Sequence, residues 1–258
     1  MKLLNKFFNN NNNTIHNFIW RFIQIGAKQG TTFLIFFIAA YFLVPEELGL
    51  FSYLMAVIGL LMIACDFGFS PATSKYVAEE KTKGSKSLNN ILFSISIVVI
   101  GIATVISLFI IFFGKYIFEE YSLLLYFVPY LFFTPLSSVA DGVYRGLKDF
   151  RKLSIISIVV ALFVLPISLF MIEIHGLIGA IISQNMVFIL LTIGLFLFRR
   201  DIKFSFDKVI TKKILKYSLV IGITSLMFFL YTKVDILILK YYGFVAEIAY
   251  YEIIFKKI

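Results

Sequence analysis

The chain has 258 residues, of which 60% are hydrophobic and only 15% are charged, and its net charge is +9 at pH 7. Soluble domains carry about 25% charged residues, so this composition excludes an ordinary soluble domain. One cysteine and two histidines exclude a disulfide framework and an ordinary zinc or haem site, and we expect no cofactor and no metal.

Residues 1–20 begin the chain as a predicted cytoplasmic tail. The tail contains two lysines, and it lacks the apolar segment and the small-residue cleavage site of a secretory signal. Five consecutive asparagines, Asn9 to Asn13, make it a low-complexity segment. We therefore expect this part of the chain to be loosely structured.

Seven apolar runs follow the tail, and each is long enough to cross a hydrocarbon core of about 30 Å. Long continuous runs predict transmembrane helices, because the strands of a membrane barrel are short and alternate in polarity. The predicted fold class is all-α, a polytopic transmembrane helix bundle. The runs occupy residues 21–43, 48–69, 91–113, 122–140, 154–172, 177–198 and 218–239.

This order of runs divides the chain into four parts. After the tail, residues 21–198 form a first six-helix bundle, and residues 199–217 form a basic cytoplasmic linker. Residues 218–258 contain helix 7 and an incomplete helix 8, which together start a second bundle. Because helix 8 would extend for only about one to three turns, we expect the sequence to be part of a longer protein.

The second run ends in the triplet DFG at residues 66–68, which binds magnesium in protein kinases. A kinase also needs a glycine-rich loop, a strand lysine and an HRD catalytic loop, and the sequence contains none of these. Residues 48–69 have instead the length and polarity of a membrane span, with Asp66 near its end. Since Gly68 and Pro71 are typical of a helix end, we interpret the triplet as the exit of the second helix.

Lys and Arg are distributed unevenly between the two sides of these spans. Seventeen lie in the tail and in the connections at 70–90, 141–153 and 199–217, whereas the opposite side has only Lys115 and Lys240. The positive-inside rule therefore places the N-terminus and all the basic connections in the cytoplasm. The outer connections are short, so we expect no large external domain.

The segment 41–53 is similar to the segment 241–253 at an offset of 200 residues, and Glu47 aligns with Glu247. Each segment leaves a long apolar run on the predicted outer side and opens the next run, six helices apart. Transporters use six-helix repeats of the same orientation, so this similarity favours a transporter.

Residues 44–80 resemble the second helix and its flanks in polysaccharide flippases of the multidrug/oligosaccharidyl-lipid/polysaccharide exporter superfamily. Residues 141–150 (DGVYRGLKDF) resemble the basic loop after the family's fourth helix, and Lys233-Val-Asp235 followed by Tyr250-Tyr251 resembles its seventh helix. Val44 departs from the usual glycine, and residues 244–246 replace a second GPE. The matching residues of the first segment are Pro45, Glu46, Glu47, Gly49, Asp66, Gly68, Phe69, Ala72 and Lys75.

The resemblance implies two six-helix bundles around a central cavity in the cell membrane. It implies a non-enzymatic transporter that moves a lipid-diphosphate-linked oligosaccharide from the inner to the outer leaflet by alternating access. The implied partners are this lipid-linked oligosaccharide, membrane lipids and glycan-assembly membrane proteins, with no nucleic acid.

Charged and polar residues inside the runs are the candidates for substrate binding. Arg21, Gln24 and Lys28 are spaced at i, i+3 and i+7, so they share one face of the first helix. Lys28 lies about 10 Å along that helix, where its ammonium either attracts a diphosphate in a cavity or extends back to the cytoplasmic surface. Arg21 is more typical of an anchor at the membrane interface than of a binding residue.

Asp235 is the fourth predicted substrate-binding residue, and it lies near the outer end of the seventh helix. It pairs with a cation, carries a proton, or acts as an anchor or local cap. Lys233 lies about 200° around the helix from Asp235, so the two side chains cannot both point into one cavity. Gln184 and Asn185 in the sixth run are typical of hydrogen bonds between helices.

Two alternative functions stay open beside the flippase, a drug exporter and a non-transporting scaffold or fragment, and a third is less compatible with the sequence. A cation-coupled drug exporter of the same superfamily would favour acidic residues deep in the spans, whereas Asp66 and Asp235 lie near their ends. A non-transporting membrane scaffold or fragment is compatible with an incomplete eighth helix. A membrane glycosyltransferase would need paired carboxylates or a metal motif on a sizeable loop, and the sequence has neither.

Overall fold

The computed structural model describes residues 2–84, 88–198 and 205–257, and none of these residues forms a strand. The all-α prediction is therefore confirmed. Nine helices occupy the described residues: α1 (Lys2–Phe42), α2 (Pro45–Asp66), α3 (Phe69–Lys83), α4 (Leu88–Ile117), α5 (Tyr121–Leu125), α6 (Val128–Leu147), α7 (Phe150–Leu197), α8 (Lys208–Tyr241) and α9 (Val245–Lys257).

Six helical segments of the described chain are long and apolar enough to cross a membrane, and α7 is a special case among them. It contains 48 residues, or about 70 Å at 1.5 Å per residue, which is more than twice the thickness of the hydrocarbon core. Gly176 interrupts it with φ 55° and ψ −127°, a conformation that side-chain-bearing residues rarely adopt.

The chain folds back on itself at Gly176, so that the two halves of α7 (150–175 and 177–197) pack side by side. A Cβ atom at Gly179 would lie only 1.9 Å from the carbonyl oxygen of Met171, and one at Gly194 only 2.8 Å from Ile156. The halves correspond to the predicted runs 154–172 and 177–198. With α7 counted as two halves, the described chain has a long apolar helical segment for each of the seven predicted runs.

The N-terminal segment differs from the prediction, because α1 runs without interruption from Lys2 to Phe42. The backbone at Asn9–Asn13 is helical rather than loosely structured. Once a helix is nucleated by the apolar residues that follow, extending it through asparagine costs only about 0.7 kcal/mol or less per residue. In the predicted linker, residues 199–204 lie outside the described residues, and α8 already begins at Lys208.

The DFG triplet ends α2 and separates it from α3, as the sequence predicts. Phe67 and Gly68 both adopt left-handed conformations, with φ of 35° and 78°, and the backbone N–H of Phe67 donates to the carbonyl of Ile63. Pro71, by contrast, does not end a helix, because it lies in the first turn of α3. We call residues 67–68 the α2–α3 break.

The predicted basic loop at 141–153 is also shorter than expected. Helix α6 continues to Leu147, and α7 starts at Phe150, so only Lys148 and Asp149 connect them. Lys148 has φ 61°, and its N–H donates back to the carbonyl of Arg145 at 3.0 Å. As a consequence, Asp141 and Arg145 project from a rigid helix, one turn apart, rather than from a loop.

The helix ends gather at two opposite ends of the bundle, and they do so as the basic residues predict. At one end, Ser154 donates to the carbonyl of Trp20, and Lys81 donates to the carbonyl of Leu147 at 2.8 Å. At the other end, the ammonium of Lys240 lies 2.6 Å from Glu120. The end with Lys81 is the one that carries most of the Lys and Arg.

Helices α8 and α9 repeat the beginning of the chain. Helix α2 begins at Pro45 and α9 begins at Val245, 200 positions later, each after a short turn that follows a long helix. These two helices also pack closely, since a Cβ atom at Gly49 would lie 1.8 Å from the carbonyl oxygen of Val245. The structure therefore supports the sequence repeat.

Candidate functional site

A cavity of about 660 Å³ lies where α8 and α9 meet the first bundle. Its lining combines phenylalanine rings with two amide side chains and one pair of opposite charges, a composition that suits an amphipathic ligand. The lining residues are Gly26, Gln29, Gly30, Thr32, Phe33 and Phe36 of α1, Phe51, Ser52, Met55 and Ala56 of α2, Gln184 of α7, Lys233 of α8 and Glu252 of α9.

The charged pair of this cavity joins α8 to α9. The ammonium of Lys233 lies 2.5 Å from Oε1 of Glu252, and only 2% of the Glu252 side chain is exposed, against 27% for Lys233. Lys233 lies eight residues before the end of α8, or about 12 Å along the helix at about 1.5 Å per residue. The pair thus lies within the apolar run of α8, where an unpaired charge would be costly.

Asp235 points away from this cavity, as its angle from Lys233 predicts. Its carboxylate accepts hydrogen bonds from the hydroxyl of Tyr251 and from the backbone N–H of Ile236, the latter at 3.0 Å. It therefore connects α8 to α9 beside the cavity wall. Its contact with substrate stays a prediction.

Arg21 and Gln24 meet a carboxylate from α6. Gln24 Nε2 donates to Asp141 Oδ1 at 3.2 Å, and the guanidinium of Arg21 lies 3.4 Å from the same oxygen and also contacts Gln24. Arg145 Nε lies 2.7 Å from the other carboxylate oxygen, and Arg145 donates to the hydroxyl of Ser70. The buried Asp141 thus ties α1 to α6.

Lys28 completes this group of charges, which we call the α1–α6 cluster (Arg21, Gln24, Lys28, Asp66, Asp141 and Arg145). Its ammonium lies 5.6 Å from the centre of the Phe188 ring, and it interacts electrostatically with Asp141 and Asp66. Asp66 accepts a hydrogen bond from Ser138 at 3.3 Å, while its other oxygen is buried without a hydrogen-bond partner among the described residues. Three cations therefore face two carboxylates.

The cluster and the cavity use different parts of the surface of α1. At about 100° per residue, Gly26, Gly30 and Phe33 of the lining lie on the side away from Lys28, whereas Thr32, one turn after Lys28, lies at the boundary between the two. In the described structure Lys28, Arg21 and Gln24 thus line the interior of the first bundle and not the 660 Å³ cavity. The structure brings three of the four predicted site residues together and leaves Asp235 apart.

Gln184 and Asn185 make the bonds between helices that the sequence predicts. Gln184 Nε2 donates to the carbonyl of Thr32 at 3.3 Å, and Asn185 Nδ2 donates to the carbonyl of Tyr126 at 2.7 Å. The first of these also lines the cavity, so one side chain fixes α7 to α1 and contributes to the lining. Within the described part of the chain, no three His, Cys, Asp or Glu residues are grouped as metal ligands.

Glu252 and Lys233 are absent from the site that the sequence predicts, although the internal repeat makes them equivalent to first-repeat residues that line the same cavity. The offset of 200 residues that aligns the two turns also aligns Phe33 with Lys233 and Ser52 with Glu252. All four of these residues line the cavity. The cavity therefore lies between the two repeats, which is where transporters place their substrate sites.

Residues 14–257 match the family model described as "Polysaccharide biosynthesis protein". The chain is also 28% identical to an uncharacterized membrane protein of Methanocaldococcus jannaschii, over 81% of this chain and 54% of that protein. It thus spans about half the length of the curated relative that it matches.

Solved structures of two transporters show the same fold. A MATE protein in complex with Br-NRF superposes with a TM-score of 0.69 at 18% identity, covering 81% of this chain and 53% of that one. The outward-facing conformation of a multidrug resistance MATE family transporter of the MOP superfamily has a TM-score of 0.68 at 20% identity, covering 81% and 51%. These matches confirm the polytopic helix-bundle fold that the sequence predicts.

Proposed function

We propose that this chain, which belongs to the polysaccharide biosynthesis protein family, moves a lipid-diphosphate-linked oligosaccharide across the cell membrane. Its fold is that of solved membrane transporters. The observation that carries this proposal is the 660 Å³ cavity between the two repeats. Pockets that bury a ligand head group have volumes of about 300–1,000 Å³, so the cavity accommodates a diphosphate with its first sugars.

The chemistry of the lining fits the parts of such a head group. The rings of Phe33, Phe36 and Phe51 present flat apolar surfaces against which sugar rings pack. The amides of Gln29 and Gln184 donate and accept hydrogen bonds, as sugar hydroxyls require. The aromatic and amide side chains of the lining therefore match the sugar rings and hydroxyls of the substrate.

The α1–α6 cluster supplies the positive charge that attracts the substrate on the basic side of the first bundle. Its three cations and two carboxylates leave one excess positive charge in the basic half of the first bundle. In that half, Arg21, Gln24 and Lys28 attract and orient the diphosphate before it reaches the cavity. This orientation places the N-terminus and the basic connections in the cytoplasm, in accord with the positive-inside rule.

A cysteine introduced at Gln29 tests whether the cavity binds this substrate. The background is Cys65→Ser, which has no other thiol. Gln29 is exposed to the cavity, so a thiol at this position reacts with a small maleimide unless a ligand covers it. We expect a polyprenyl diphosphate that carries a disaccharide to protect the thiol, and the matching polyprenol to leave it reactive. Equal labelling with and without the diphosphate lipid would contradict the proposal.

A drug exporter of the same superfamily is the second candidate, because the carboxylate of Glu252 reaches the cavity and would attract a lipophilic cation. In the same labelling experiment, tetraphenylphosphonium would then protect the thiol and the lipid would not. Protection by neither compound would favour a non-transporting scaffold or fragment.

A further inference from the structure

We propose that Lys233 is the diphosphate-binding cation of the cavity and that Glu252 holds its ammonium until the substrate arrives. The inference rests on the proposed function, and it assigns the two ends of the substrate to different walls. The diphosphate binds at the α8–α9 wall, and the sugars pack on the α1–α2 wall.

The burial of the two partners shows which one is able to change its contact. The side chain of Glu252 is almost fully buried in α9, whereas about a quarter of the Lys233 side chain is exposed to the cavity. A lysine ammonium has three donors on a flexible four-carbon stem, so it turns toward the cavity without any movement of α8. Lys233 is therefore available to a ligand in the cavity.

A diphosphate competes well with the carboxylate for this ammonium. It carries more negative charge than one carboxylate, and its oxygens accept charge-assisted hydrogen bonds of the same kind. In the apolar surroundings of the α8–α9 wall an unpaired charge is costly, so the ammonium stays paired with one anion or the other. The arrival of the substrate thus exchanges one ion pair for another.

The repeat makes the cavity asymmetric in the way that the substrate requires. Phe33 and Ser52 of the first repeat align with Lys233 and Glu252 of the second, and all four line the cavity. The first-repeat wall is therefore neutral, with one aromatic ring, at the positions where the second-repeat wall is charged. A head group with a charged end and a sugar end fits this cavity in one orientation.

Substitutions of Lys233 and Glu252 distinguish this exchange from a purely structural ion pair, because the exchange predicts opposite effects of the two substitutions on lipid binding. We expect Lys233→Met to raise the concentration of lipid-linked disaccharide needed for half-protection of the Gln29→Cys thiol by about tenfold, the equivalent of one lost charge-assisted bond. Glu252→Gln should lower that concentration severalfold, because it removes the competing carboxylate. Lys233→Arg should stay near the parent, since guanidinium also binds phosphate.

Two further variants guard against an effect on folding. The double variant Lys233→Met with Glu252→Gln removes both charges of the pair, and it should bind as weakly as Lys233→Met alone while eluting as a monodisperse protein. Lys240→Ala breaks the other pair of α8, with Glu119 and Glu120 at the outer end, and should leave half-protection unchanged.

Each possible result has a definite meaning. Weaker binding by both Lys233→Met and Glu252→Gln would overturn the exchange, and so would equal binding by all the variants, although the proposed function would stand in both cases. A parent protein that the lipid does not protect would overturn the function and the inference together. Protection by inorganic diphosphate at the same concentration would show a site for free phosphates rather than for the lipid head group.

Discussion

Buried charges in this chain occur as groups that nearly balance. Asp141 receives two guanidinium groups, from Arg21 on α1 and from Arg145 on its own helix. The ammonium of Lys233 likewise pairs with a carboxylate, that of Glu252. A lone charge at the centre of a membrane costs about 2.5–3.5 kcal/mol on insertion scales, so each unmatched charge in such a group indicates a role beyond packing.

Lys28 is the cation that gives the α1–α6 cluster its excess charge, and its removal makes the cluster neutral. In an intact transporter that contains this chain, we expect Lys28→Ala to lower transport of the lipid-linked oligosaccharide by about tenfold at an unchanged membrane level, because the diphosphate loses one charged partner. Lys28→Arg should keep most of the rate. The measurement is flipping of a fluorescent lipid-linked disaccharide in vesicles.

Lys75 supplies the matched control for this experiment. Its ammonium lies 3.9 Å from the centre of the Tyr217 ring, between α3 and α8, and it does not belong to the cluster. Lys75→Ala should therefore transport like the parent. Transport by Lys28→Ala at the rate of the parent would remove Lys28 from the substrate path and leave it a role in the stability of the first bundle.

At the scale of the helices, the α2–α3 break forms a close contact with α8. Gly68 has φ 78°, and a Cβ atom there would lie 2.7 Å from Cβ of Ile221 and 3.0 Å from the carbonyl oxygen of Ser218. The ring of Phe67 covers Gly222 on the same helix. The break therefore connects the first bundle to the helix that carries Lys233.

Gly68→Ala should lower the melting temperature of the purified protein for two reasons. A side chain in the left-handed region costs about 1–2 kcal/mol, and the added methyl group also collides with Ile221. Gly84→Ala is the matched control, because Gly84 has φ 63° but open space around its Cβ position. We expect the first variant to melt several degrees below the second, and equal melting temperatures would show that α8 does not pack on the break.

At the scale of the whole molecule, the helix ends form two layers that differ in charge. Lys81 contacts the end of α6 in one layer, and Lys240 contacts Glu120 in the other. The basic layer should lie in the cytoplasm, since Lys and Arg are retained on that side during insertion.

Single cysteines in a Cys65→Ser background measure this orientation. We expect an impermeant thiol reagent added to intact cells to label Glu46→Cys and Glu173→Cys, and to leave Lys81→Cys and Lys208→Cys unlabelled until the cells are opened. All four side chains are exposed, so accessibility within the fold does not decide the result. Labelling of the two lysine positions in intact cells would invert the proposed orientation.

The sequence predicts the long apolar helices of this protein well, because each one depends on local composition. Helix α3 differs, because it occupies most of the segment 70–90 that the sequence assigns to a basic connection. An apolar run in a bilayer forms a helix, because a helix satisfies the backbone hydrogen bonds within the run. The number of runs and the uneven distribution of Lys and Arg are counted directly in the sequence. The offset between residues 41–53 and 241–253 likewise predicts the equivalent starts of α2 and α9. The helical backbone at Asn9–Asn13 differs from the prediction, because the neighbouring span extends through it.

Contacts between residues far apart in the chain are decided only by the tertiary structure. Arg21 meets Asp141 120 positions later, and the face of α1 that carries Lys28 turns into the first bundle and away from the cavity. Helical spacing groups side chains on one face, but it does not say which neighbouring helix that face meets. Packing sets the rotation and tilt of each helix, and so it determines that Lys233 rather than Asp235 lines the cavity with Glu252.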